Sequence, residues 1–165
     1  MAHRSGSFFP MSRKLLSYVP FVTVSRVAEA SIPYGTKCDA PEMLAEFWEK
    51  HIATRPGFEP EKEALYVILL DVKFQVIAAN LVSLGSVNES VAHPREILRP
   101  AIALGAHSLV IMHNHPSGDV QPSGADTSVT KRLREACDLL QIKLLDHVIY
   151  GGPGNFFSFK NNCYL

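Results

Sequence analysis

His113-Asn114-His115-Pro116-Ser117-Gly118-Asp119-Val120-Gln121-Pro122-Ser123-Gly124-Ala125-Asp126 is the stretch on which the reading of this chain turns. An apolar run, Ser108 to Met112, leads into it, and a helical pattern leads out. In an extended chain, side chains at i and i+2 point to the same side. If the strand continues past Met112, His113 and His115 therefore present two imidazoles to one point. Asp126 falls at the expected start of a helix, where the loop can return its carboxylate to that point. Two imidazoles and a carboxylate form a three-ligand set. A zinc ion held by three protein ligands keeps its fourth position for water, which is the catalytic rather than the structural pattern. The pKa of such a water falls to roughly 7. Pro116, Gly118 and Pro122 make the loop sharp and rigid. A bare His-x-His has a plainer reading, a histidine pair on a strand edge, and it is the whole string that outweighs it. Asp119 reads as a loop turn former ahead of a fourth ligand.

His-x-His, seven residues, then Ser-x-x-Asp resembles the JAMM metalloprotease signature of JAB/MPN domains. The fuller string HNHPSGDVQPSGAD is similar to the version in the RadC family. So are Val91-Ala92-His93-Pro94-Arg95-Glu96, Lys131-Arg132-Leu133 and Leu144-Leu145-Asp146-His147-Val148-Ile149, and the likeness covers roughly residues 36 to 165. The resemblance implies one zinc per chain, held by His113, His115 and Asp126. In the family a glutamate at the start of an early strand faces the metal-bound water; by position it matches Glu63, with Glu61 and Glu96 as the alternatives. Such a carboxylate takes a proton from the water and passes it to the leaving amine. Glu63-Ala64-Leu65 departs from the Glu-His-Phe or Glu-Glu-Phe usual there, so the neighbour of the glutamate is lost. The resemblance implies that Ser123 stabilises the oxyanion, and that reading is preferred slightly to the helix N-cap that the residues alone also support.

The 165 residues fit one domain, and 47% hydrophobic against 19% charged residues leaves enough apolar surface for a core. The formal net charge is zero, so nothing in the balance asks for nucleic acid or an anionic membrane. Cys38, Cys137 and Cys163 are odd in number and widely spaced, which argues against a disulfide framework and fits a reducing cytoplasm. No apolar run is long enough to span a bilayer, and Arg4, Pro10, Arg13 and Lys14 interrupt any signal-peptide core. Residues 1–36 read as an N-terminal tail with an added edge strand over Leu15 to Val27, and residues 37–165 as the RadC-like JAB/MPN domain. Short RadC-like proteins are similar here, carrying a strand in place of the helix-hairpin-helix segment of longer members.

Through the domain, Asp39 reads as an N-cap with Pro41 in the first turn, and Met43, Leu44, Phe47, Trp48 and Ile52 as an apolar helical face. For Trp48 that means plain core packing. Leu65 to Leu70 and Phe74 to Leu84 read as a hairpin turning at Asp71-Val72-Lys73. His93-Pro94-Arg95-Glu96 opens a helix whose face is Ile97, Leu98, Ala101, Ile102 and Leu104, with Pro100 inside it and Gly105 at its end. His93 reads as a cap and Arg95 as a structural ion pair ahead of any contact with substrate. After the loop, a helix over about Ala125 to Gln141 buries Val129, Leu133, Ala136 and Leu140. Leu144 to Tyr150 and Phe156 to Phe159 are the last strands, and His147 reads either as a partner orienting a metal ligand or as a buried structural histidine.

This order predicts an α/β sandwich with a mixed sheet, in agreement with the JAB/MPN fold, which is similar to the cytidine deaminases. The deaminase pattern H-x-E with P-C-x-x-C is absent, as is H-E-x-x-H. The leading functional expectation is a zinc-dependent hydrolase of a peptide or isopeptide substrate. A non-catalytic metal-binding accessory of DNA repair or mobile elements is the second reading, and a scaffold that forms a homodimer through a sheet edge the third.

Overall fold

Strand β3, Ser108–Asn114, lies at the centre of the sheet, and all seven of its residues are buried. The computed structural model describes residues 32–33, 35–85 and 92–165. The expected strand over Leu15 to Val27 lies outside the described residues. The other strands are β1 (Glu63–Leu70), β2 (Val76–Gly85), β4 (Lys143–Gly152) and β5 (Asn155–Ser158), in the order β2-β1-β3-β4-β5. β1 pairs antiparallel with both β2 and β3, β3 pairs parallel with β4, and β5 returns antiparallel on β4. The sheet is mixed and helices cover it, as the sequence predicts.

A near-continuous apolar strand is what a sheet buried on both faces requires, and β1 and β3 supply it. Alternation then sorts their residues. Leu65, Val67, Leu69, Leu109 and Ile111 face one cluster with Ile97, Leu98 and Ala101 of α2 (Pro94–Leu104) and Val129 and Leu133 of α3 (Gly124–Leu140). Tyr66, Ile68, Val110, Met112 and Val148 face the other, with Leu44 and Phe47 of α1 (Pro41–Phe47) and Trp48. Trp48 is a core residue, stacked on Tyr150 and edge-on to Phe58 and Tyr66.

α1 continues through one π-helical stretch, Trp48–Ile52. Its N-cap is Ala40 and not Asp39. The residue before a proline is pushed to an extended conformation, and Ala40 at ψ 150 obeys. Asp39 then lies one residue too far out and faces Lys37 Nζ at 3.3 Å. The β1–β2 turn is built on Asp71, whose Oδ1 accepts from Lys73 N and Gln75 N while Phe74 takes a φ of 60°. α2 is capped by His93, whose Nδ1 accepts from Arg95 N, and ends at Gly105 in the left-handed region. Ile102 is 58% exposed, so it is not part of the face that α2 buries. On α3, Cys137 takes the buried position, and Leu140 is 46% exposed. No helix among the described residues is long and apolar enough to cross a membrane.

Candidate metal centre

One face of the sheet carries the cluster. Alternation along β1 sends Glu63 to the same side as Leu65, and alternation along β3 sends His113 to the same side as Ile111. Leu65 pairs with His113, so Glu63 at the head of β1 lies beside the tail of β3. The strand course persists past Asn114, since His115 N donates to Tyr150 O at 2.9 Å. His115 therefore joins His113 on that face, as the spacing predicts.

Asp126 arrives from above, in the first turn of α3. Its backbone N–H donates to Ser123 Oγ at 3.1 Å, while its own Oδ2 accepts from Ser123 N at 2.8 Å and from Ser123 Oγ at 2.5 Å. This is a reciprocal capping box with aspartate in place of glutamate. Oδ1 is left facing His113 Nε2 at 3.2 Å. Ser123 is thus the N-cap, with its hydroxyl proton directed at Asp126. Asp119 is exposed and forms a turn, its Oδ1 accepting from Gln121 N. Glu96 pairs with Arg95 and Arg99, away from the role weighed for it, and Arg95 is in the ion pair expected of it.

His113 Nε2 and His115 Nε2 are 3.0 Å apart, and Glu63 Oε1 is 3.9 Å from the first and 3.6 Å from the second. His115 Nε2 lies 3.8 Å from Asp126 Oδ2. Four side chains from β1, β3, the loop 115–123 (the metal loop) and α3 meet at one point. His115 Nδ1 stands 2.6 Å from Asp119 O. A carbonyl only accepts, so Nδ1 carries the proton and the Nε2 lone pair points inward. Burial holds His113 well below its ordinary range, at about 4, against the opposing pull of Asp126, so the imidazole is neutral and able to ligate at physiological pH. Two imidazoles, a carboxylate fixed by its helix cap and a low-dielectric setting suit a divalent cation with nitrogen and oxygen ligands.

The residues that satisfy metal-ligand spacing form two overlapping groups, Glu63 with His113 and His115, and His113 with Asp126 and His147. These do not describe two sites. His147 Nε2 faces the other ring nitrogen of His113, Nδ1, at 2.9 Å, so His147 backs the cluster and does not enter it. Between the carboxylates, Asp126 is 2% exposed and Glu63 23%, which leaves Glu63 at the solvent-facing rim.

Three residues of the centre escape a reading by sequence. Asn114 stands between the two histidines and points the other way. Its Oδ1 accepts from Ala64 N at 2.9 Å, and its Nδ2 donates to Lys62 O at 3.0 Å and Pro60 O at 3.3 Å. It grips the backbone on both sides of Glu63. Thr130, one turn after Asp126, donates to Asp126 O at 2.6 Å and lies 2.6 Å from His147 Nδ1. Gly151 lets the metal loop close against β4, since a Cβ there would stand 2.6 Å from Gly118 O and from Val120 Cγ1. Neither buried thiol is a nucleophile, because burial pushes Cys38 to about 12 and Cys137 to about 11.

The RadC-like JAB domain model matches residues 38–164. A UPF0758 protein of Chlorobaculum tepidum is 50% identical over 104 residues, 63% of this chain and 46% of its own length. One from Chlorobaculum parvum is 48% identical over 107 residues, 65% of this chain and 48% of that one, and one from Caldanaerobacter subterraneus subsp. tengcongensis is 50% identical over 103, 62% and 44%. This chain spans about half the length of the curated relatives it matches.

Proposed function

The chain belongs to the RadC-like JAB domain family, and from that premise we propose that it is a zinc-dependent hydrolase of an amide bond, peptide or isopeptide. One observation carries the reading: His113, His115 and Asp126 converge on a point that Glu63 Oε1 also reaches, 3.6–3.9 Å from both imidazole Nε2 atoms. His113, His115 and Asp126 are the metal ligands. A zinc ion held there supplies Lewis-acid polarisation of the scissile carbonyl and an acidified water.

The remaining chemistry belongs to the chain. Glu63 is the general acid/base: its Oε1 accepts a proton from the attacking water and delivers it to the leaving amine nitrogen. Its rim position gives it access to both groups. Asn114 positions it by holding Lys62 and Ala64. Ser123 donates its hydroxyl to the oxyanion. When the hydroxyl turns to substrate, Ser123 N still donates to Asp126 Oδ2 at 2.8 Å, so the carboxylate stays anchored.

The test is a zinc-loaded preparation assayed on a panel of peptides and lysine-linked isopeptides. Cleavage by the native protein with loss in Glu63→Gln, at unchanged zinc content, is the expected result. Cleavage that survives Glu63→Gln would refute the mechanism. A protein that holds no zinc after reconstitution at neutral pH would remove the hydrolase reading.

A further inference from the structure

Behind the proposed ligands runs a closed chain of buried polar groups: His113 Nδ1 to His147 Nε2 at 2.9 Å, His147 Nδ1 to Thr130 Oγ1 at 2.6 Å, and Thr130 Oγ1 to Asp126 O at 2.6 Å. It begins on one proposed ligand and ends on the backbone of another. His113 and His147 are wholly buried, and Thr130 is 2% exposed.

The direction of every proton in this chain follows from its last member. A carbonyl oxygen has no proton to give. Two oxygens at 2.6 Å need a proton between them, so the Thr130 hydroxyl donates to Asp126 O. A hydroxyl has one proton, so Oγ1 can meet His147 Nδ1 only as an acceptor. His147 Nδ1 therefore carries the proton, and in a neutral ring Nε2 keeps its lone pair. That lone pair accepts from His113 Nδ1–H. His113 in turn has its Nε2 lone pair facing His115 and Asp126.

We propose that Thr130 and His147 are positioning residues that lock His113 in the Nδ1-protonated tautomer, so that its Nε2 is presented to the metal before any metal arrives. The proposal rests on the zinc reading for its purpose and for the ligand point, where this order leaves the His113 and His115 Nε2 lone pairs 3.0 Å apart for a cation to accept; the Thr130–Asp126 contact that sets the order lies outside that point. The opposite order is the competitor. In it, Thr130 donates to His147 Nδ1, His147 Nε2–H donates to His113, and His113 Nε2–H donates to His115 Nε2 at 3.0 Å or to Asp126 Oδ1 at 3.2 Å. That order places a proton where the metal belongs, and it leaves Thr130 Oγ1 and Asp126 O facing each other with none.

Replacing Thr130 with valine keeps the volume and removes the hydroxyl. His147 Nδ1–H then meets a methyl group, and the ring gains by moving its proton to Nε2. His113 must follow, and its proton enters the ligand point. Outer partners of ligating histidines are worth ~10–100-fold in metal affinity.

Two measurements test the lock. In the metal-free full chain with 15N-labelled histidine, two-bond proton–nitrogen correlation reports which ring nitrogen of each neutral histidine carries the proton. We expect Nδ1–H for both His113 and His147; Nε2–H on either overturns the proposal. Zinc affinity is then read by chelator competition. Thr130→Val is expected to bind ~10–100-fold more weakly, and Thr130→Ser, which restores the hydroxyl, within a few-fold of native. Native-like affinity in a folded Thr130→Val overturns the proposal. If the native chain binds no zinc, the hydrolase reading falls, while the tautomer measurement still decides the lock.

Discussion

Asn114→Ala separates the placement of Glu63 from the binding of metal. The side chain is 5% exposed and makes three hydrogen bonds, all to the backbone around Glu63: from Ala64 N at 2.9 Å, to Lys62 O at 3.0 Å and to Pro60 O at 3.3 Å. It stands where the β1–β3 ladder ends. The main-chain pairing ends at Leu65 and His113, and the asparagine amide continues one residue further with a side chain in place of a main chain. Truncation orphans the Ala64 N–H in a buried setting, a cost of ~1–3 kcal/mol, and removes two bonds worth ~0.5–1.5 kcal/mol each. The bond to Pro60 O is long and both acceptors have a second lone pair, so the lower half of that sum applies and about 2–4 kcal/mol of stability is expected to be lost. For a chain of this size that corresponds to a fall in Tm of about 4–16 °C. The assay is thermal and urea unfolding of the native and variant chains, with amide hydrogen exchange at Ala64 as the local readout. Zinc content should not change, because His113 and His115 point to the other face, while any hydrolysis should fall with the displaced Glu63. A loss below ~0.5 kcal/mol with native exchange protection at Ala64 would refute the reasoning.

Asp126→Ala is expected to abolish zinc uptake measured by elemental analysis, since it removes a proposed ligand and half of the capping box that starts α3. Gly151→Ala should destabilise the fold by ~1–3 kcal/mol through overpacking, and weaken zinc binding as well, because its Cβ would drive Gly118 and Val120 of the metal loop off β4; calorimetry with chelator competition reads both. Burial raises the pKa of Asp146 above its ordinary value, against the hydrogen bond from Ser158. The folded state therefore takes up that proton first as pH falls, so this group's contribution to stability declines as pH rises through the folded pKa and is level above it. Asp146→Asn should lack this slope in unfolding curves taken from pH 7 downward.

The metal loop was legible because its information is local. His113 and His115 are two apart on one strand, and Asp126 heads the next helix, so period and loop chemistry bring the three together. The capping box is half legible: the sequence offers Ser123 as cap or oxyanion donor, and the structure shows the cap, with the hydroxyl turned to the carboxylate that the family likeness makes a ligand. Glu63 needed the resemblance, since nothing near it in sequence marks one glutamate among Glu61, Glu63 and Glu96. Asn114 escapes because it acts through backbone groups, which have no signature in sequence, and Thr130 because its partners are a backbone carbonyl and a histidine seventeen residues away on another element. Thr130 had one available sign: it lies four residues after Asp126, on the same helix face. The Asp39 cap failed on a local rule, the extended residue that Pro41 imposes before itself.

Strand direction explains why fifty residues of separation end in contact. β3 has seven residues, so its ends are about 20 Å apart at ~3.3 Å per residue. β1 runs antiparallel to it, and its first residue therefore lies beside the last of β3. A parallel β1 would carry Glu63 to the far end, beyond reach of any side-chain motion. β4 is the parallel neighbour, and it contributes from its middle: His147 pairs with Ile111, two residues before His113. That offset places its ring behind His113 rather than beside the ligand point. The same sheet thus places Glu63, the proposed acid/base, on the antiparallel side, where the strand start lies at the rim. It places His147 on the parallel side, where it is wholly buried.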